Sequence, residues 1–217
     1  MSFQLVSNLT KLPKASAPIL AILGNCSIPT LFSATQHWDH VYLVPGIQDI
    51  SSSRKAIYTT KMDTLYHIAK QTQNLSILEH GTIEIPKSPF VLLGTPLHSD
   101  KAFTDTHPIP YMYESVYTHK GLVTALDIAE WHWQDRDWLK GQLCWYKRHK
   151  PTSKLICFTH TNPFHTTLRN VILKNPSLIH GWYWAGRGKE STVDQIWKGT
   201  RIGEIGSEGH MLSLRDS

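Results

Sequence analysis

Five apolar runs in this chain each stop at a short polar or glycine-bearing turn. The turns are Ser7-Asn8-Leu9-Thr10, Gly24-Asn25, Gly46-Ile47-Gln48-Asp49, Thr159-His160-Thr161 and Gly181-Trp182-Tyr183-Trp184. Short apolar runs bounded in this way read as buried strands, and in α/β proteins the turns that follow such strands hold the chemistry. Function is therefore to be sought at these five places.

Between the turns the pattern is that of a mixed α/β domain. Phe3 to Ser7 and Ile19 to Gly24 read as strands, Leu31 to Trp38 as a helix and Val41 to Val44 as a third strand, a βαβ-like opening. Ser51 to Ser53 are placed to cap a helix reaching Gln73, with Met62, Leu65, Tyr66 and Ala69 on its apolar face. Leu75 to Leu78 and Thr82 to Ile85, separated by Glu79-His80-Gly81, read as a hairpin before a strand at Phe90 to Gly94. Ser99 to Lys120 has no period and reads as an irregular loop. Trp131 to His149 reads as a helix presenting Trp138, Leu139, Leu143 and Tyr146. Lys154 to Thr159 and Ser177 to His180 read as strands, and Gln195 to Ile205 as a closing hairpin. No repeat interrupts this order, and 217 residues suit one domain.

Composition narrows the partners. The net charge is +5, with eight Lys/Arg against seven Asp/Glu in residues 1–108 and fourteen against ten in residues 109–217. That imbalance reads as a solvated basic face, or as a surface for a polyanion or an acidic protein. Eight tryptophans imply a thick core, an interaction surface, or both. Cys26, Cys144 and Cys157 have neither disulfide nor metal-ligand spacing, which points to a reducing compartment such as the cytoplasm. Lys11 to Cys26 reads as a strand region and not as a signal peptide, and no run approaches the ~20 apolar residues of a membrane span.

In order and context the five turns resemble the signature blocks of the calcineurin-like metallophosphoesterases. Phe3-Gln4-Leu5-Val6-Ser7 and Ala17-Pro18-Ile19-Leu20-Ala21-Ile22-Leu23-Gly24 resemble that family's first two strands. Leu92-Leu93-Gly94-Thr95-Pro96-Leu97-His98-Ser99 is similar to its Ile-Leu-Gly-x-Thr-Leu-Trp-Ser block. His132-Trp133-Gln134-Asp135-Arg136-Asp137-Trp138-Leu139 is similar to a His-x-x-Asp-x-x-Trp-Leu helix start. The ordered set spans most of residues 2–209. It implies an α/β, metallophosphoesterase-like four-layer sandwich of two mixed β-sheets flanked by α-helices.

The resemblance also implies what the site has lost. In the family two metals are bridged by an aspartate and activate the attacking water. Here Asn8 and Thr10 stand for the first Asp and His, and Asn25 for the bridging Asp. Ile47 and Gln48 stand for the Asn-His pair, and Trp182 and Trp184 for the final His pair. His160 alone is unchanged, and Asp49 matches a position that is often acidic without being a ligand. Two dications ~4 Å apart repel, and each missing carboxylate removes about 4 kcal/mol of attraction per charge pair at an effective dielectric of 20. Amide oxygens at Asn8 and Asn25 are neutral, and an indole has no lone pair to donate. The chain is thus expected to be a degenerate member with no catalytic residues, no metal and no cofactor, its pocket filled by aromatic bulk.

Other candidates have plain readings. His160 at a strand end reads as a hydrogen-bonded core residue, or as a ligand of one Zn, Mn or Fe ion together with Asn25, Asn8, Asp49 or His180. Trp131 and Trp133, flanking a helix start beside basic residues, read as a partner surface or as a platform for single-stranded nucleic acid. Gly186-Arg187-Gly188-Lys189 lacks phosphate-loop spacing and reads as a turn. Cys26 reads as a packed thiol. The leading expectation is a pseudoenzyme that serves as a structural or protein-binding component of a larger assembly. A divergent single-metal phosphoesterase and a basic, Trp-rich nucleic-acid-binding module are the alternatives.

Overall fold

Strands apolar at every position need cover on both faces, and the chain supplies it by stacking two sheets and placing helices outside them. The computed structural model describes residues 2–6, 14–51, 55–98, 113–161, 178–185, 195–197, 200–205 and 210–213. The first sheet contains β1 (Ser2–Val6), β2 (Ile19–Ile22), β3 (His40–Leu43), β4 (Leu75–Ile77) and β13 (His210–Ser213) in the order β13-β1-β2-β3-β4. Its strands are parallel except β13, which runs antiparallel to β1. The second sheet contains β5 (Gly81–Glu84), β6 (Phe90–Thr95), β9 (Lys154–Thr159), β10 (Ile179–Ala185), β11 (Gln195–Trp197) and β12 (Thr200–Ile205), ordered β11-β12-β10-β9-β6-β5. Its four central strands are parallel, and both edges are antiparallel.

Three apolar clusters define the layers. Leu20, Ile22, Val41 and Leu43 pack against α1 (Ile28–Thr35), the one-turn α2 (Ile47–Ile50) and α3 (Tyr58–Gln71). Ile19, Ala21, Leu23 and Tyr42 of the first sheet meet Phe90, Leu92, Ile156 and Phe158 of the second. On the far face of the second sheet, Val91, Leu93, Leu155 and Cys157 pack beneath Leu139, Leu143 and Tyr146 of α4 (Ala125–His149). The fold is α/β, two mixed sheets flanked by helices, as the sequence resemblance implies. Among the described residues no helix is long and apolar enough to cross a membrane.

Several expected elements differ. Leu75 to Leu78 and Thr82 to Ile85 do not form a hairpin: β4 pairs in parallel with β3, while β5 pairs antiparallel with β6 in the other sheet. Glu79 and His80 therefore carry the chain from one sheet to the other. Helix α3 starts at Tyr58 after the uncapped Ile57, because Ile47 to Ile50 already form their own turn; its buried face is Met62, Leu65 and Ile68, with Tyr66 exposed. Helix α4 begins six residues earlier than expected, where Thr124 and Asp127 form a capping box. Within the expected loop, β7 (Tyr117–Thr118) and β8 (Gly121–Leu122) make a small ribbon, and residues 99–112 lie outside the described residues. Gly181-Trp182-Tyr183-Trp184 is not a turn, since β10 continues through it to Ala185.

Candidate functional site

The turns after β2, β3 and β9 converge. Gly24 has φ +91° and Asn25 φ +59°, so the chain leaves β2 in the left-handed region that glycine enters freely and asparagine tolerates. Asn25 and Cys26 then donate their amides to the Asp49 carboxylate at 2.8 and 2.7 Å, and Gly46 donates a third at 2.7 Å. Burial pushes the Asp49 carboxyl up to about 6, against the pull of the three amides and of Lys61. Asp49 is thus the clasp between two strand ends, its oxygens directed at backbone. Asn25 Oδ1 accepts a longer bond, 3.4 Å, from the Gln48 amide. Gln48 is exposed, and Ile47 is buried in the core beside α1.

His160 closes the group. Its Nδ1 donates to the Leu23 carbonyl at 2.8 Å, and since a carbonyl only accepts, the lone pair of the neutral ring lies on Nε2. Burial lowers the pKa of His160, the neighbouring His98 ring pushes the same way, and the Leu23 bond opposes them. The approach of ring to backbone is close: a Cβ on Gly24 would lie 2.4 Å from His160 Nδ1, and one on Gly46 would lie 2.7 Å from Cε1 and 2.9 Å from Asn25 Oδ1. Asn25 and His160 therefore face one another across Gly46.

Trp182 and Trp184 are placed elsewhere. Both pack in the core beneath α4, and Trp182 Nε1 donates to Thr159 Oγ1 at 3.2 Å. The two indoles fill the space between the second sheet and α4, so aromatic bulk at the Asn25–His160 group does not come from them. Asn8, Thr10 and Gly186 to Lys189 lie outside the described residues, as does the side chain of His180.

A second polar centre adjoins the first, and the motifs only half indicated it. Asp135, buried on the core face of α4, accepts four bonds. Oδ1 takes Thr95 Oγ1 at 2.6 Å and His80 Nε2 at 2.8 Å, while Oδ2 takes the His98 amide at 2.9 Å and His98 Nδ1 at 2.8 Å. Burial alone would raise this carboxyl, but the His98 ring and the bonds from His80, His98 and Thr95 outweigh it and hold it well below the carboxylate range. The Asp135 bond raises the pKa of His80, with burial opposing. His132, one turn earlier on the same face, donates from Nδ1 to the His98 carbonyl at 2.7 Å. The two centres meet where the His160 amide donates to Pro96 and Thr161 Oγ1 to the Leu97 carbonyl. The available signal was two polar residues, His132 and Asp135, in the apolar register of Ile128, Leu139, Leu143 and Tyr146.

Trp131 stacks on Tyr58 at 4.7 Å and lies 5.1 Å from the His98 ring, so it faces inward. Trp133 is 51% exposed. Burial pushes the Cys26 thiol up to about 12, with the Asp49 charge adding to it, so the thiol stays protonated and unreactive.

The donor set can be tested against a binuclear centre. Among the described residues no three His, Cys, Asp or Glu side chains are grouped to hold a metal ion. One imidazole, one neutral amide and a carboxylate turned onto backbone amides do not fit two dications.

By sequence the chain matches no protein-family model and no curated protein. By structure it is similar to the phosphopantetheinyl hydrolase PptH of Mycobacterium tuberculosis. The TM-score is 0.63 at 13% identity, over 95% of this chain and 90% of that one. It is also similar to a 5′-nucleotidase candidate from Staphylococcus aureus, with a TM-score of 0.56 at 11% identity over 99% of this chain, which spans about half (51%) of that protein. These likenesses define a metallophosphoesterase-like fold.

Proposed function

We propose that this chain is a metallophosphoesterase scaffold that assembles no binuclear metal centre and works by binding other proteins, as a structural or regulatory component of an assembly. The observation that carries this reading is the Asp49 clasp. Its carboxylate is consumed by the amides of Asn25, Cys26 and Gly46, while the side chain beside His160 is the uncharged Asn25. An attacking water is activated in such folds by metal charge, and this arrangement concentrates hydrogen bonds where that charge would need carboxylates. The two structural neighbours carry the names of hydrolytic enzymes, which supports the ancestry of the scaffold and not an activity for it.

The test is metal analysis of the purified chain together with turnover of bis(p-nitrophenyl) phosphate in added Mn²⁺ or Zn²⁺. The expected result is substoichiometric metal and no cleavage that EDTA removes. Stoichiometric Zn, Mn or Fe with chelation-sensitive turnover, lost in His160→Ala, would establish the second reading, a single-metal hydrolase. That reading has one observation in its favour: Nδ1 of His160 is anchored on a carbonyl, which is how metal-binding histidines are oriented with Nε2 presented.

A further inference from the structure

At the end of the second sheet away from His160, the β5–β6 turn and the C-terminal end of α4 enclose a groove of about 490 Å³. Strand β9 starts at this groove and runs about 17 Å before reaching His160, at ~3.3 Å per residue. Pro86, Pro89, Pro151, Lys87 and Lys150 line it, and Phe90 is buried beneath it. Its charged lining residues are Lys87, Lys150 and Glu84, and Lys147, Arg148 and Lys154 follow directly in the chain on either side of the lining segment 149–153. Counted with these flanks, residues 84–91 and 147–154 carry a net +4, against +5 for the whole chain.

Part of this charge has a local cause. Glu84 pairs with Lys150 at 2.6 Å, and the C-terminal end of α4 carries roughly half a negative charge that basic residues complement. Lys87 and Arg148 are exposed and make no ion pair among the described residues.

We propose that this groove docks an acidic, extended segment of a partner protein, with carboxylates on Lys87 in the groove and Arg148 beside it and an apolar side chain against the proline rings. Charge complementarity selects an acidic occupant. The choice of peptide over single-stranded nucleic acid rests on Trp145. This exposed indole could serve as a stacking platform, but its ring is already stacked on His149 at 5.0 Å, carries the Lys150 ammonium 5.7 Å from its centroid and packs edge-on to Tyr146. The groove is also short and walled by proline rings, unlike the long open basic track a strand of nucleic acid follows. This assignment stands whether or not the His160 site hydrolyses anything.

The experiment is fluorescence anisotropy on the full chain with a labelled decapeptide of alternating Glu and Leu, its Gln/Leu counterpart, and labelled poly(U) of matched length. The expected result is saturable binding of the Glu peptide, at least tenfold weaker binding of the Gln peptide, and a tenfold loss in Lys87→Glu/Arg148→Glu. Lys14→Glu/Lys70→Glu, which makes the same charge change on other exposed lysines, should leave binding within twofold. Equal loss in both double variants would reduce the effect to overall charge and overturn the proposal. So would absence of Glu-peptide binding, or tighter binding of poly(U) through Lys87 and Arg148. Circular dichroism of each variant separates loss of binding from loss of fold.

Discussion

Asp49 ties the end of β2 to the end of β3 through three amides that have no other acceptor among the described residues, which makes it a stability residue at the converging strand ends. In Asp49→Ala the amides of Asn25, Cys26 and Gly46 lose their partner, and since solvent reaches part of the turn the expected cost is about 2–3 kcal/mol by urea denaturation. The pH dependence has a definite sign. The folded carboxyl titrates at about 6 against 3.8 for the ordinary group, so the folded chain binds the extra proton and this group's contribution is lost as pH rises through that window. Asp49→Asn should remove that slope between pH 4 and 6. A variant with the wild-type slope would mean that the clasp is not where the proton sits. The convergence of Asn25, Asp49 and His160 was legible because each follows an apolar run. The burial of Trp182 and Trp184 was not, because a glycine inside a strand reads as a turn until the register of β10 on β9 shows it carried onward.

Helix α4 is held down by charge as well as by packing. Its core stripe of Ile128, Leu139, Leu143 and Tyr146 is interrupted by Asp135, which binds groups from β6, from the turn after it and from the crossing between β4 and β5. Removing the carboxylate strands His98 and Thr95 in a buried site, while the exposed His80 can turn to water, so Asp135→Ala is expected to cost about 3 kcal/mol. A loss below 1 kcal/mol would show that water replaces the carboxylate. The titrations of its partners act in opposite windows. Asp135 has a lowered pKa, so its contribution is complete above the ordinary carboxylate value and lost only at strongly acidic pH. His80 has a raised pKa, so its contribution is complete below 6.5 and fades as pH rises through the higher folded value. His80→Gln should therefore cost more at pH 5 than at pH 9 in paired denaturation curves. This crossing explains the misread hairpin. Two short β-rich runs separated by Glu79-His80-Gly81 satisfy hairpin spacing, and only the tie of His80 to Asp135 and of Glu79 to the Tyr58 and Tyr66 hydroxyls reveals a passage between sheets. Long-range bonds of that kind leave no periodic trace in sequence, whereas the 3.6-residue stripe of α4 and the unbroken apolar runs of β6 and β9 do.

At the scale of the whole molecule, the central strands belong to two cores at once. In β9, Leu155 and Cys157 point into the core beneath α4, while Ile156 and Phe158 point between the sheets; β6 divides in the same way at Val91, Leu93 and Phe90, Leu92. β2 likewise divides between the inter-sheet core and the core beneath α1 and α3. No layer can lose its packing without stripping one face from a strand that the next layer needs, so we propose that the described layers unfold as one cooperative unit. Leu155→Ala and Ile156→Ala remove neighbouring side chains from opposite faces, and each should cost about 2–5 kcal/mol. In both variants, hydrogen exchange should report equal loss of protection for β2 and β9 peptides, because global unfolding limits both. Protection lost from β9 in Leu155→Ala with β2 unchanged would divide the molecule at the inter-sheet layer. The groove at Lys87 and Lys150 would then sit on a unit that opens independently of the His160 turn.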